Sequence, residues 1–285
     1  MTAKESRQYH PLFNSPDADV VLISAEHTSY RVPSSTLRNT CNLFRDLPSS
    51  SSYFQVIEVD EPDSVLTKVL CFICGRWQPT DHWESIDQLE ATLEFIQKWD
   101  AFGPLSLIRS SVPVPWFPAD PLRLYAIATR FGWGEEAQLA STHTLSLNLY
   151  DNEHRPKLER LSSVHLMALL RLHRFRRNEF KRMLDNEPAF DIGNTMEPAQ
   201  CTNPGCTQEI SHHTWRELKV RMFMEMDKRP LGDTLVGFGM EEWPEAIACW
   251  NAKCQRPAGC NKMNYNKVET LRSIKDCIDR LPVHI

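Results

Sequence analysis

Five of the nine cysteines fall between positions 201 and 260, and their placement is the feature of this sequence closest to chemistry. Cys201-Thr-Asn-Pro-Gly-Cys206 and Cys254-Gln-Arg-Pro-Ala-Gly-Cys260 each set Pro and Gly between two thiols, in a turn that could aim both sulfurs the same way. Two such pairs are what a tetrahedral thiolate zinc site needs, because four sulfurs must converge from two loops. Cys249 is a substitute ligand, and His212 or His213 could also replace one. The pairs are separated by four and five residues, wider than the two residues favoured in zinc knuckles. Three readings therefore stay open. One is a closed structural zinc site on Cys201, Cys206, Cys254 and Cys260; the others are scattered reduced thiols and a redox or catalytic thiol.

Little else in the chain points to catalysis. The 285 residues include only 10 glycines, where average usage of about 7% would give about 20. Phosphate-cradling loops rely on glycine for close backbone approach, and neither GxxxxGK[ST] nor GxGxxG occurs. HExxH and GxSxG are missing too. Asp60-Glu61 and Glu241-Glu242 are not paired into an acid/base unit. Arg171, Arg174, Arg177, Lys181 and Arg182 share an arc of roughly 140° on one helix, which reads as a solvated face or as a basic patch. The net charge of -5 favours the solvated face and gives no overall attraction to nucleic acid or an anionic membrane. His173 falls on the apolar stripe of the same helix and reads as a core or boundary residue. No catalytic residue, small-molecule substrate or cofactor other than structural zinc is expected.

The elements that must carry these residues are legible from periodicity. Asp19–Ser24, Tyr30–Pro33 and Phe54–Asp60 read as three strands, with Ser34 or Ser35 capping a helix after the second. Ser49–Ser52 reads as a loop. Val65, Leu66, Val69, Leu70 and Ile73 share one helical face, as do Ile86, Leu89, Leu93 and Ile96. Leu105–Val112 reads as a short helix. Four prolines between 112 and 121 predict a non-helical linker, after which Asp120-Pro121 is a strong helix start. Further helices are expected over Leu122–Phe131, from Glu135, and over Ser162–Leu184, Trp215–Lys228 and Val268–Leu281. Met196–Gly205 reads as irregular. No apolar run reaches the roughly 18 residues a membrane span needs, and the polar start Met1–Pro11 does not read as a secretory signal. With an odd cysteine count, the expected setting is a reducing one, cytoplasmic and/or nuclear.

The order of these elements, and the local sequence, resemble the BTB/POZ family. "DADVVLIS…YRVPSSTLRNTCNLFRDL" is similar to its opening strands and first helices, although Pro33-Ser34 stands where many members have His-Lys. "FQVIEVDEPDSVLTKVLCFI" and "LEATLEFIQKWDA" resemble the third strand and the helices that follow. "DPLRLYAIATRFGWGEEAQLASTHTL" and "ERLSSVHLMALLRLH" resemble helices found after the domain in fungal BTB proteins. The resemblance implies an α+β fold, a three-stranded sheet with a helical cluster over residues 14–112. A helical extension over 113–190 and a cysteine-containing tail over 191–285 would follow. It also implies a non-enzymatic protein-interaction module, an adaptor or homotypic assembly protein, with a cullin of a ubiquitin ligase or another BTB protein as partner. The helices around Val65–Ile73 and Ile86–Ala101 would then be the docking face. The alternative is a zinc-dependent nucleic-acid-binding transcriptional regulator using the tail and the basic helix.

Overall fold

A computed structural model of the chain describes residues 8–46, 55–78, 81–195, 199–236, 238–256 and 260–285. Ser49–Ser52, the first residue of the expected strand at Phe54, and positions 257–259 between Cys254 and Cys260 lie outside the described residues. The chain is α+β and forms two compact units, Met1–Trp116 and Phe117–Ile285. No helix among the described residues is long and apolar enough to cross a membrane.

The first unit is built on a mixed sheet of β1 (Tyr9–Asn14), β2 (Val20–Ile23), β3 (Ser29–Val32) and β4 (Gln55–Glu58), in the order β1-β3-β2-β4. The β2–β3 hairpin is antiparallel, and β4 runs parallel to β2. The sheet thus has four strands rather than the expected three. The added strand, β1, pairs in parallel with β3 at the edge, where Pro11 removes no interior ladder bond. Its buried Phe13 and the stacking of His10 on Tyr30 hold it there. Sheet and unit therefore begin before position 14.

Helix α1 (Ser34–Thr40) follows the hairpin without a side-chain cap. Ser34 instead donates through its backbone N and its Oγ to Asp19, at 2.7 and 2.6 Å, so the residue that opens β2 also anchors the start of α1. Val65, Leu66, Val69 and Leu70 of α2 (Asp63–Ile73) and Leu89, Leu93 and Ile96 of α3 (Ile86–Lys98) are buried with Leu22, Tyr30 and Trp99. The apolar stripes of these helices make the core. The large apolar side chains this unit exposes include Leu43 and Phe102, which flank the bond from Asn42 Nδ2 to Asp100.

After α4 (Leu105–Ser110), the proline-rich stretch contains a helical turn, α5 (Trp116–Ala119), where a non-helical linker is expected. Pro118 fits because first-turn N–H groups have no intrahelical partner to lose. Asp120 then caps α6 (Pro121–Arg130), accepting from the Arg123 amide with Pro121 in the first turn. Next come α7 (Gly134–Thr144), α8 (Arg155–Leu158) and the long α9 (Ser163–Asn186), capped by Ser162. The short α10 (Asp191–Asn194), a two-stranded ribbon of β5 (Ala199–Gln200) and β6 (Glu209–Ile210), and α11 (His213–Lys228) follow. Helices α12 (Pro244–Asn251) and α13 (Lys267–Asp279) complete the chain. Phe180 and Leu184 of α9 share one core with Trp215, Leu218 and Met222 of α11 and Ile274 of α13. Extension and tail therefore form one unit, with no division near 190.

Candidate metal centre

Each cysteine pair sits at the mouth of a short antiparallel ladder. In the first, β5 pairs with β6 and the Cys201 amide extends the ladder to the Gln208 carbonyl at 2.9 Å. The chain turns through Asn203 and Gly205 and returns Cys206, whose amide bonds the Asn203 carbonyl at 3.0 Å. Gly205 has φ of 78°, a left-handed conformation that glycine adopts without the Cβ penalty. In the second, Lys253 bridges Met263, the Cys254 amide bonds the Lys262 carbonyl at 2.9 Å, and the Asn264 amide bonds that of Ala252. Asn261, with φ of 49°, turns the chain just past Cys260.

These two hairpins bring Cys201, Cys206, Cys254 and Cys260 together, with all four Sγ atoms within 4.8 Å of one another. Cys201 lies 3.7 Å from Cys260 and Cys206 lies 3.8 Å from Cys254, so each close contact joins one hairpin to the other. A disulfide would need about 2 Å. Four sulfurs about 2.3 Å from a common centre form a tetrahedron with edges of about 3.8 Å, which these separations match. Cys201, Cys206 and Cys254 are buried and Cys260 is partly so, with Ile210 packed against the group.

The surroundings favour the anion at Cys260 and oppose it at Cys254. The Lys262 amide donates to Cys260, and Asn203 Nδ2 reaches the same sulfur at 3.2 Å, which together lower the Cys260 pKa. Burial pushes Cys254 the other way, partly offset by a bond from the Arg256 amide. Side chains tie the hairpins across the site: Arg256 Nη1 donates to the Gly205 carbonyl at 3.2 Å, and Lys262 Nζ to that of Thr202 at 3.3 Å. Contacts of this kind orient ligating atoms and offset their charge.

The substitute ligands are elsewhere. Cys249 is a core residue of α12, fully buried with Trp215 and Met222, and burial raises its pKa to about 12. Its place on the helix before the second hairpin turns its thiol into the apolar interior, so it is not a ligand. His212 Nδ1 lies 2.7 Å from Tyr265 Oη, and His213 is exposed; neither belongs to the four-thiol group. A second group of ligand-type side chains, Asp151, Glu153 and His154, is accounted for by its own bonds: Asn148 donates to Asp151, and Glu153 pairs with His154.

Sequence reasoning passed over Asn203, Arg256 and Lys262. An amide inside the first cysteine loop and cations within and just after the second were the available signals. It also passed over Arg176. That guanidinium is buried on α9 and donates to the carbonyls of Pro230, Leu231, Leu281 and Pro282. Comparison with protein-family models, curated proteins and solved structures finds no match for this chain.

Proposed function

We propose that this chain is a non-enzymatic protein-interaction scaffold whose second unit is braced by a structural zinc ion. Cys201, Cys206, Cys254 and Cys260 would hold the ion, and the observation that carries the reading is the convergence of their sulfurs from two hairpins, all within 4.8 Å of one another with the two cross-hairpin contacts at 3.7 and 3.8 Å. Four protein thiolates fill the coordination shell, which suits a structural rather than a catalytic centre. Bound zinc would supply a cross-link between two loops that lack an extended apolar core of their own. The protein's part is to hold four thiols at the right separation and to offset their charge with backbone amides, Asn203, Arg256 and Lys262.

The first unit, on this reading, is a BTB/POZ-like docking module acting as an adaptor or in homotypic assembly. Its support is the order of sequence elements, together with exposed Leu43 and Phe102 at one corner of the unit. The nucleic-acid alternative needs an open basic face on α9. There Arg177 pairs with Asp227, Lys181 with Asp185 and Arg182 with Glu179, which favours the scaffold.

Metal analysis of the purified protein tests the brace. About one equivalent of zinc is expected, retained in Cys249→Ser and lost in Cys201→Ser or Cys254→Ser; less than about 0.2 equivalents in the parent protein would discard the site. Light scattering, alone and with a cullin N-terminal domain, tests the docking module. Self-association or complex formation that Phe102→Asp abolishes is expected. A monomer without a cullin complex at micromolar concentration would refute the adaptor and assembly readings.

A further inference from the structure

We infer that Cys260 is a site of oxidation by hydrogen peroxide and that Cys201 resolves it, closing a disulfide from one hairpin to the other. This inference deepens the zinc-braced reading of the same four thiols and rests on it.

The four sulfurs converge, but they are not equally reachable. Cys201, Cys206 and Cys254 are buried at 7%, 6% and 1% exposure, whereas Cys260 is only partly covered. A peroxide must meet the sulfur itself, so of the four it reaches Cys260 first. Asn203 Nδ2, at 3.2 Å, fixes the position of that sulfur. Distance sets the resolving partner. Cys201 Sγ is 3.7 Å from Cys260 Sγ, against about 2 Å in a disulfide, so about 1.7 Å of sulfur movement joins them. The other close contact, Cys206 with Cys254 at 3.8 Å, is buried on both sides and stays reduced through the first equivalent of peroxide. Cys74 of α2 supplies the contrast. It too is partly exposed, but burial raises its pKa to about 11, so it keeps its proton at neutral pH.

Two electrons move in two steps. The Cys260 thiolate attacks one peroxide oxygen; an S–O bond forms, the O–O bond breaks and hydroxide leaves. The Cys201 thiolate then attacks the sulfur of the resulting sulfenic acid; an S–S bond forms, the S–O bond breaks and a second hydroxide leaves. Two thiolates are oxidised, one peroxide is reduced, and solvent protons turn both hydroxides into water. Half of the four-thiolate set is consumed, so a closed structural site no longer exists. The hairpins remain joined, now covalently, by residues 59 positions apart in the chain. Two negative charges beside Arg256 and Lys262 disappear in the exchange.

The test uses the full chain, with its zinc content measured in the same sample. Hydrogen peroxide is added in small steps while a chromogenic chelator reports released zinc and differential alkylation with mass spectrometry maps the thiols. About one peroxide per zinc should form the Cys201–Cys260 disulfide in step with zinc release, leaving Cys206, Cys254 and Cys74 as thiols and the far-ultraviolet circular dichroism unchanged. Cys206→Ser and Cys260→Ser each remove one ligand, so the two are matched in metal loss. Cys206→Ser should still form the Cys201–Cys260 bond, whereas oxidation of the remaining site thiols in Cys260→Ser should slow at least about tenfold. A first disulfide within one hairpin, a first disulfide between Cys206 and Cys254, or equal rates in the two variants would overturn the proposal. Retained zinc with all four thiols reduced after about ten equivalents of peroxide would overturn it too while leaving the metal site standing. A protein without zinc that still forms Cys201–Cys260 first would refute the metal and uphold the thiol pair.

Discussion

Replacing Arg176 by Met should cost the second unit several kcal/mol, and the size of the effect can be worked from its surroundings. The guanidinium is 1% exposed and donates to four backbone carbonyls: Pro230 at 2.7 Å, Leu231 at 3.1 Å, Leu281 at 3.1 Å and Pro282 at 2.6 Å. Bonds to a charged group contribute about 1.5–3 kcal/mol each, so the four together supply roughly 6–12 kcal/mol. Against this, burial pulls the Arg176 pKa down to about 10, and at about 1.4 kcal/mol per pKa unit keeping the charge costs roughly 3 kcal/mol. Met preserves much of the apolar stem but leaves the carbonyls without a donor. The bonds to Leu231 and Pro282 are only partly buried, so water recovers part of the loss and the low end of the range applies, about 3–5 kcal/mol. In a domain of this size that is a fall in Tm of roughly 10 °C. Thermal unfolding followed by circular dichroism measures it, with Arg176→Lys expected between the parent and Arg176→Met because three ammonium donors cannot serve four fixed carbonyls. A fall below about 3 °C for Arg176→Met would refute the reasoning, since the carbonyls would then have another source of donors.

Two further outcomes follow from neighbouring residues. Burial, with Arg176 adding to it, lowers the His173 pKa to about 4. An unfolded histidine takes up its proton near pH 6.5, so stability should be fully present above that pH and fall by about 3 kcal/mol as the pH drops to 4. Urea unfolding across this window should give a flatter dependence in His173→Gln; an identical slope in both proteins would exclude His173 as the source. Burial also lowers the pKa of His212 and His10, which contribute to the slope of both proteins, so the difference between the two slopes is what reports His173. At Gly193 an added Cβ would lie 2.4 Å from Trp215 Cδ1, and Trp215 is itself 1% exposed. Gly193→Ala should therefore destabilise by about 2 kcal/mol through overpacking, and an unchanged Tm would show that Trp215 can shift.

The strand and helix pattern was legible because each element carries its own period. The stripe from Val65 to Ile73, the Asp120-Pro121 start and the Ser162 cap are local signals, and the chain obeys them. Strand β1 was not legible, since its alternation is interrupted by Pro11 and its place depends on Phe13 and His10 meeting Tyr30. The arginines of α9 make the same point. Arg174, Arg176 and Arg177 are nearly adjacent in sequence, yet only Arg176 turns inward, toward carbonyls more than 50 residues away. A count of charges cannot single it out.

The cysteines divide the two kinds of information most clearly. By itself, the sequence specified two Pro- and Gly-containing turns with a thiol at either end of each, because turn chemistry is local. Tertiary structure alone decided that the two turns face each other with sulfurs 3.7 and 3.8 Å apart, and that Cys249, five positions before Cys254, faces the core instead. Ligand convergence is a relation between distant segments, and it is set by how α11, α12 and the ribbon of β5 and β6 pack rather than by any spacing along the chain.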